Sequence, residues 1–339
     1  MNVYMTKQKI QLLIFAWGPS YEGKLNLTIS SFMNDLKSLK KKVNVSLLFF
    51  TDNDLESLLK KKLFIELSNH KIEFKVYDIS NRLGETGFFN KIQEYAFSIS
   101  RDLKSDIIIP IYSDFIFFDN SLINVIDILT KDEKKIIFQP ILCLIEEKVY
   151  SKISKTLKSK EVLHQKSDLP SIISKNNIHN IQKMMIINND VVCLSPAWNI
   201  YIAKNDDIYI SAFHNSPIAF RTELLDEIIE ISISSDEDFT NTLFNNLKYY
   251  SECYFIKDSN ESLIISLKSV KDAPIEINPY IAKQINKEAM NAAKLWTQRF
   301  TNNFHKYSSN FVYFINHESR KKNEKAINYL NELNNKLLD

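Results

Sequence analysis

The residue best placed for chemistry in this chain is a carboxylate at the end of an apolar strand. Asp106-Ile-Ile-Ile-Pro-Ile-Tyr-Ser-Asp114 is apolar on both faces and delivers Asp114 to the carboxyl end of the strand. In open α/β sheets ligands bind beyond that edge. A carboxylate there can hold a divalent cation, which neutralises a departing diphosphate. The competing structural reading is that Asp114 starts a turn while Asp119 and Asn120 cap the next helix. A second feature is Ala212-Phe-His-Asn-Ser-Pro217, in which His214 is either a ligand or a satisfied core imidazole. A third is Ser235-Asp-Glu-Asp238, where a Ser and an acid-rich first turn suit any helix start. In its functional reading, Asp236 or Asp238 is a general base or binds the group being modified. Trp17, beside Gly18 and Pro19, either stacks on a flat ligand or plugs the sheet end.

These residues need a scaffold, and the first part of the chain alternates strand and helix patterns. Lys9 to Phe15 reads as a buried strand, and Leu25, Ile29, Phe32, Leu36 and Leu39 stripe one helix face. Val43 to Phe50 is a second strand, followed by a helix with Leu55, Leu58, Leu59 and Leu63. Ile72, Phe74 and Val76 alternate as a third strand. Phe88, Ile92, Tyr95, Ile99 and Leu103 stripe a helix leading into the strand at Ile107 to Tyr112. A helix over Leu122 to Leu129 and a strand at Ile136 to Phe138 complete the series. Repeated β-α-β with continuous apolar strands predicts a mostly parallel twisted α/β sheet with helices on both sides.

The rhythm changes after Pro140. Residues of about 145–190 are rich in Lys, Ser and Asn and read as a helical insertion without a clear strand. Asn199 to Ala203 and Ile208 to Phe213 predict a hairpin. Cys253 to Ile256 and Leu263 to Leu267 read as late strands. From Pro279 the chain is expected to be helical, with Ala326, Leu330, Leu333 and Leu337 lining the last helix. The expected domains are therefore residues 1–278 and a helical extension over 279–339. The last stripe packs back onto a sheet or pairs two copies as a homo-oligomer.

Composition narrows the classes. Lys+Arg 43 against Asp+Glu 41 leaves +2, and the basic runs lack interleaved aromatics, so no nucleic-acid partner is expected. Three cysteines, far apart, make neither a disulfide framework nor a zinc knuckle and suit a reducing, cytoplasmic setting. No apolar run reaches the roughly 18 residues of a membrane span. The chain has only four glycines, too few and too scattered for a GxGxxG turn or a P-loop. Any nucleotide must be held without a glycine-rich cradle.

Phe15-Ala-Trp-Gly-Pro-Ser-Tyr21 and Phe50-Thr-Asp-Asn53 begin a series of segments that, in order, resemble bacterial GT-A-type glycosyltransferases. The first is similar to that family's first nucleotide-binding loop, and the other to its second. The stretch through Asp114 to Asp119-Asn-Ser-Leu122 resembles its metal-site region. Trp198-Asn-Ile-Tyr201, Ile210 to Ile218, Ile231 to Phe239 and Phe255 to Glu261 resemble its later motifs. The resemblance implies a GT-A-like, Rossmann-like fold that binds a UDP- or GDP-type nucleotide sugar, usually with Mg²⁺ or Mn²⁺. The acceptor would be a glycan, a lipid-linked glycan or a protein, in surface glycan or glycoprotein assembly. Trp17 and Tyr21 would line the nucleotide loop, with Thr51 and Asp52 near the base or ribose. Tyr112, Ser113 and Asp114 would face the donor. Asp114 and His214 would face the metal, and Asp236 or Asp238 would serve the acceptor side. The chain departs from the pattern at Tyr112, which replaces the first acid of a DxD and favours weak or absent metal dependence. A catalytically degenerate binding module and another nucleotide-using α/β transferase are the alternative readings.

Overall fold

The computed structural model describes residues 7–131, 133–158, 163, 183–194, 198–203, 207–212, 217–225, 247–269, 271, 280–281, 287, 290–291, 294, 307, 310–315 and 324–338. The chain divides into two compact units, Met1–Phe138 with Pro217–Tyr254, and Gln139–Ser216 with Phe255–Asp339. The boundary expected at 278/279 does not follow this division. The chain leaves the first unit after its sixth strand, close to the change of rhythm at Pro140, and returns to it at Pro217, which the local pattern does not reveal.

The first unit holds β1 (Lys9–Phe15), β2 (Asn44–Thr51), β3 (Glu73–Asp78), β4 (Ile107–Tyr112), β5 (Phe115–Phe117) and β6 (Ile136–Phe138). Its helices are α1 (Glu22–Leu39), α2 (Asn53–Leu59), α3 (Leu63–Asn69), α4 (Phe88–Asp102) and α5 (Ser121–Lys131). Five of these strands, β5 apart, join β12 (Pro217–Arg221) and β13 (Cys253–Phe255) in a seven-stranded sheet in the order β13-β6-β12-β4-β1-β2-β3. The run β4-β1-β2-β3 is parallel, and β12 is antiparallel to both β4 and β6. The expected α/β class with a mostly parallel sheet is found. β1 is central, and its residues from Ile10 to Phe15 are all buried, as a strand covered on both faces requires. β3 closes one edge, where exposed Glu73 and Lys75 blunt it against further pairing. Pro110 is tolerated inside β4 because β12 pairs only with Ile107 and Ile108.

The apolar stripe of α1 is buried as expected, Leu25, Ile29, Phe32 and Leu36 completely. The stripe expected on α4 is rotated by about one residue. Ile92, Gln93, Ala96, Phe97 and Ser100 form its buried face, while Phe88, Tyr95 and Ile99 are half-buried. Two polar residues on the inner face concealed it.

In the second unit, β8 (Lys183–Ile187), β9 (Asp190–Leu194), β10 (Trp198–Ile202), β11 (Ile208–Ala212), β15 (Tyr280–Ile281) and β16 (Val312–Ile315) form one sheet. Its six strands run in the order β15-β8-β9-β10-β11-β16. The expected hairpin of β10 and β11 is present. Two expectations are corrected here. The region 145–190 is not free of strands, since β8 and β9 form a hairpin at its end. Its two-residue turn, Asn188-Asn189, has φ of 52° and 68°, the conformation that matches strand twist and that asparagine tolerates. Nor is the chain helical from Pro279 onward, because β15 and β16 lie there. β16 is a four-residue run of β-branched and aromatic residues that joins the sheet edge at β11.

The last helix, α7 (Glu324–Leu338), packs its stripe into this unit. Ala326, Leu330, Leu333 and Leu337 share a core with Met185, Val192, Tyr209 and Phe314. Asn334, buried on the same face, donates to Ser211 Oγ at 2.5 Å and accepts from Asn199 Nδ2 at 3.1 Å. β7 (Leu142–Ile145) and β14 (Ile264–Lys268) pair in parallel and are covered by α6 (Glu146–Lys158).

Candidate functional site

Strand order reverses between β1 and β4: β1 is followed on one side by β2 and β3 and on the other by β4. The crevice at such a point, beyond the carboxyl ends of the strands, is where open α/β sheets bind ligands. Four register neighbours lie just beneath that edge. Tyr77, Phe50, Phe15 and Tyr112 are paired across β3, β2, β1 and β4. Their ring centroids are 5.1, 5.6 and 5.8 Å apart, stacked at 11°, 23° and 30°. Tyr95 of α4 meets Phe50 and Tyr77 edge-on, and Arg82 lies 4.7 Å over the Tyr95 ring. The row gives the sheet edge a rigid aromatic floor.

The first loop stands on this floor. Trp17 is half-buried, with its ring 5.2 Å from Phe88 at 84° and 5.9 Å from Phe89. Gly18 follows at φ 84° and ψ 142°, a conformation open essentially to glycine alone. Its N–H donates to Asp52 Oδ2 at 2.7 Å. Asp52 Oδ1 accepts from Leu55 N at 2.8 Å and so caps α2. Both oxygens of Asp52 therefore serve the protein's own backbone. Tyr21, in the short turn that leads into α1, is 36% exposed and open to solvent. Thr51 is buried, and its Oγ1 has no hydrogen-bond partner among the described residues. At the next strand end, Asp78 accepts from Ser80 N, Ser80 Oγ and Asn53 Nδ2, and the Ser80 contacts hold its carboxyl below the ordinary range.

The second loop carries Tyr112, Ser113 and Asp114. Tyr112 is half-buried, its ring between Phe15 and Phe89, and its hydroxyl accepts from Gln93 Nε2 at 2.9 Å. Ser113 and Asp114 are buried. Helix α1 fastens this segment at three points. Thr28 Oγ1 donates to the Ser113 carbonyl at 2.8 Å, and Ser31 Oγ accepts from Phe117 N at 3.0 Å. Asp35 Oδ2 accepts from Leu122 N and Ile123 N, at 3.1 and 3.4 Å. Asp35 thus contributes to capping α5, a role that sequence reading gave to Asp119 and Asn120. Burial pushes the Asp35 carboxyl up to about 6, although the backbone N–H groups of Ile123, Leu122 and Asn120 oppose the shift and Asp119 adds to it.

The structure therefore brings Trp17, Tyr21, Thr51, Asp52, Tyr112, Ser113 and Asp114 to one sheet edge. His214, Asp236 and Asp238 lie outside the described residues. Sequence reading missed Phe88, Phe89 and Gln93, which fix Trp17 and Tyr112. The Phe-Phe pair directly after Gly87 was the available signal. It also missed the polar row Thr28, Ser31 and Asp35. Among the described residues no three His, Cys, Asp or Glu side chains gather as a metal site. The second loop offers one carboxylate, Asp114, where a DxD would offer two. The described residues alone do not build a cation site.

No protein-family description and no curated protein matches the sequence. Among solved structures, the chain is similar to residues 1–349 of TarS from S. aureus, at 12% identity and a TM-score of 0.39, over 85% of this chain and 65% of that one. It is similar to GalNAc-T7 with UDP, GalNAc and Mn²⁺ at 13% identity and a TM-score of 0.41, over 98% of this chain and 55% of that one. It also overlaps 4-diphosphocytidyl-2C-methyl-D-erythritol synthase from Anaerococcus prevotii DSM 20548, at 13% identity and a TM-score of 0.34, over 86% and 99% of the two chains. The chain thus spans just under two thirds of the TarS fragment. At TM-scores below 0.5 such overlaps define neither a family nor an activity. Among the described residues no helix is long and apolar enough to cross a membrane.

Proposed function

We propose that this chain is a glycosyltransferase that moves a sugar from a UDP- or GDP-type nucleotide donor to an acceptor hydroxyl. The observation that carries the reading is the convergence of Trp17 and Asp114 on the strand-order reversal between β1 and β4. An indole held edge-on by Phe88 is positioned for a flat or sugar-like ligand. The Thr51 hydroxyl, without a hydrogen-bond partner among the described residues, lies at the end of β2, beside the same loop. The resemblance of both loops to GT-A-type nucleotide loops supports the same assignment, and so does the absence of a glycine-rich cradle.

In the proposed reaction the bond from the anomeric carbon to the diphosphate oxygen breaks and a bond to the acceptor oxygen forms. The acceptor proton passes to a base, for which Asp236 and Asp238 are the candidates. The site's tasks are to position the hydroxyl and to stabilise the departing diphosphate. The acceptor class would be a glycan, a lipid-linked glycan or a protein. If a divalent cation takes part, Asp114 and His214 are its candidate ligands.

Tyr112 in place of an acid favours a second reading, a binding module that keeps the nucleotide and has lost the chemistry. A thermal-shift panel of nucleotide sugars, with and without Mn²⁺, tests both. Stabilisation by UDP- or GDP-type ligands supports both readings, and slow donor hydrolysis that Asp114→Ala abolishes supports the enzyme. Stabilisation by S-adenosylmethionine alone would point to a different nucleotide-using transferase.

A further inference from the structure

We propose that Thr28 and Ser31 of α1, with Asp35 behind them, are positioning residues that set where Asp114 stands at the sheet edge. The inference rests on the reading of Asp114 as a ligand-contacting group and adds residues that do not themselves touch the ligand. Positions 28, 31 and 35 are spaced three and four apart and so share one helix face. Each bonds the segment after β4: Thr28 to the Ser113 carbonyl, Ser31 to Phe117 N, Asp35 to Leu122 N and Ile123 N. The first two anchors bracket Asp114, one residue before it and three after.

The anchors are also locked to one another. Ser31 Oγ, while accepting from Phe117 N, donates to the Thr28 carbonyl at 2.6 Å. A hydroxyl with both roles filled has little freedom to rotate. Thr28 is fully buried and Asp35 nearly so, so solvent cannot readily replace either bond. Polar groups placed on an inward helix face cost stability unless each is satisfied. Here all three are satisfied by the same loop. Phe32, between them, packs edge-on against Phe117 at 5.0 Å and holds the loop to the helix by apolar contact as well. Stability alone would be served by that packing; the hydroxyls add a fixed height and register to the loop.

The test is a double-mutant cycle read by nucleotide affinity. Thr28→Val keeps the side-chain shape and removes the donor. We expect it to weaken binding of the best UDP- or GDP-type ligand about tenfold in the wild-type background, the size of one lost buried hydrogen bond. With Asp114→Asn already present, the same change is expected to cost less than about twofold, because effects that act through one group do not add. Thr28→Ser should restore affinity to within about twofold. Ser31→Ala is the second variant, for use if Thr28→Val does not fold, and the same pattern is expected of it. Equal losses in both backgrounds, or no loss, overturn the inference while leaving the site reading intact. Wild-type protein that binds no nucleotide, or Asp114→Asn protein that binds as wild type does, overturns the site reading and the inference with it.

Discussion

Asp52 accepts the Gly18 N–H at 2.7 Å, and this one bond ties the loop after β1 to the start of α2. The other oxygen of the same carboxylate caps that helix through Leu55 N. The loop after β1 is therefore held in place by a residue that the family resemblance sets near the base or ribose. Asp52→Asn keeps one acceptor and a good helix cap, so it should cost no more than about 1 kcal/mol of stability. Asp52→Ala loses both bonds and should cost about 2 kcal/mol or more. Urea unfolding of the two variants checks the order.

Gly18 should resist substitution for a backbone reason. A Cβ built on it meets no atom within 4 Å, so space is not the obstacle. At φ 84° the strain lies in the residue itself. Gly18→Ala is expected to destabilise by about 1–3 kcal/mol, measured by thermal or denaturant unfolding. An unchanged midpoint would show that the loop adopts another conformation.

Thr51 offers a cleaner separation of stability from binding. Its hydroxyl is buried and has no partner among the described residues, so Thr51→Val should be neutral or stabilising by up to about 1 kcal/mol. If a ligand takes up that hydroxyl, nucleotide affinity falls in the same variant. Calorimetric titration beside an unfolding curve reads both quantities.

Asp35 predicts a pH dependence of the opposite sign to most carboxylates. Its carboxyl is raised by burial from 3.8 to about 6, so the folded state holds the proton more tightly than the unfolded chain. The associated stability is fully present below about pH 4 and is lost as pH rises through about 6, a change of roughly 3 kcal/mol at most. Asp35→Asn should flatten that slope and match or exceed wild type above pH 7. Unfolding free energies between pH 4 and 8 test the sign.

The parallel core was legible because its signals are local. Continuous apolar strands, and the α1 stripe ending at Leu39, point one way only. The α4 face was misplaced because Gln93 and Ser100 are buried on it, and a hydrophobicity pattern assigns such residues to solvent. The hairpin of β8 and β9 was hidden in a Lys- and Asn-rich stretch, although Asn188-Asn189 marked its turn. Of the candidate site, the positions of Trp17 and Asp114 just beyond two strand ends were legible. What holds them was not, since the partners are distant in sequence: Phe88 for the indole, and Thr28 for the carbonyl beside Asp114. A polar residue inside an amphipathic helix looks like a gap in the stripe until the loop that it binds is known.

Hydrogen–deuterium exchange of the full chain, with and without the nucleotide that gives the largest thermal shift, tests the central claim most directly. Slowed exchange is expected in peptides covering residues 16–21, 51–53 and 112–117, the three loops at the carboxyl ends of β1, β2 and β4. Protection confined to other parts of the chain, with these three unchanged at saturating nucleotide, would contradict the account.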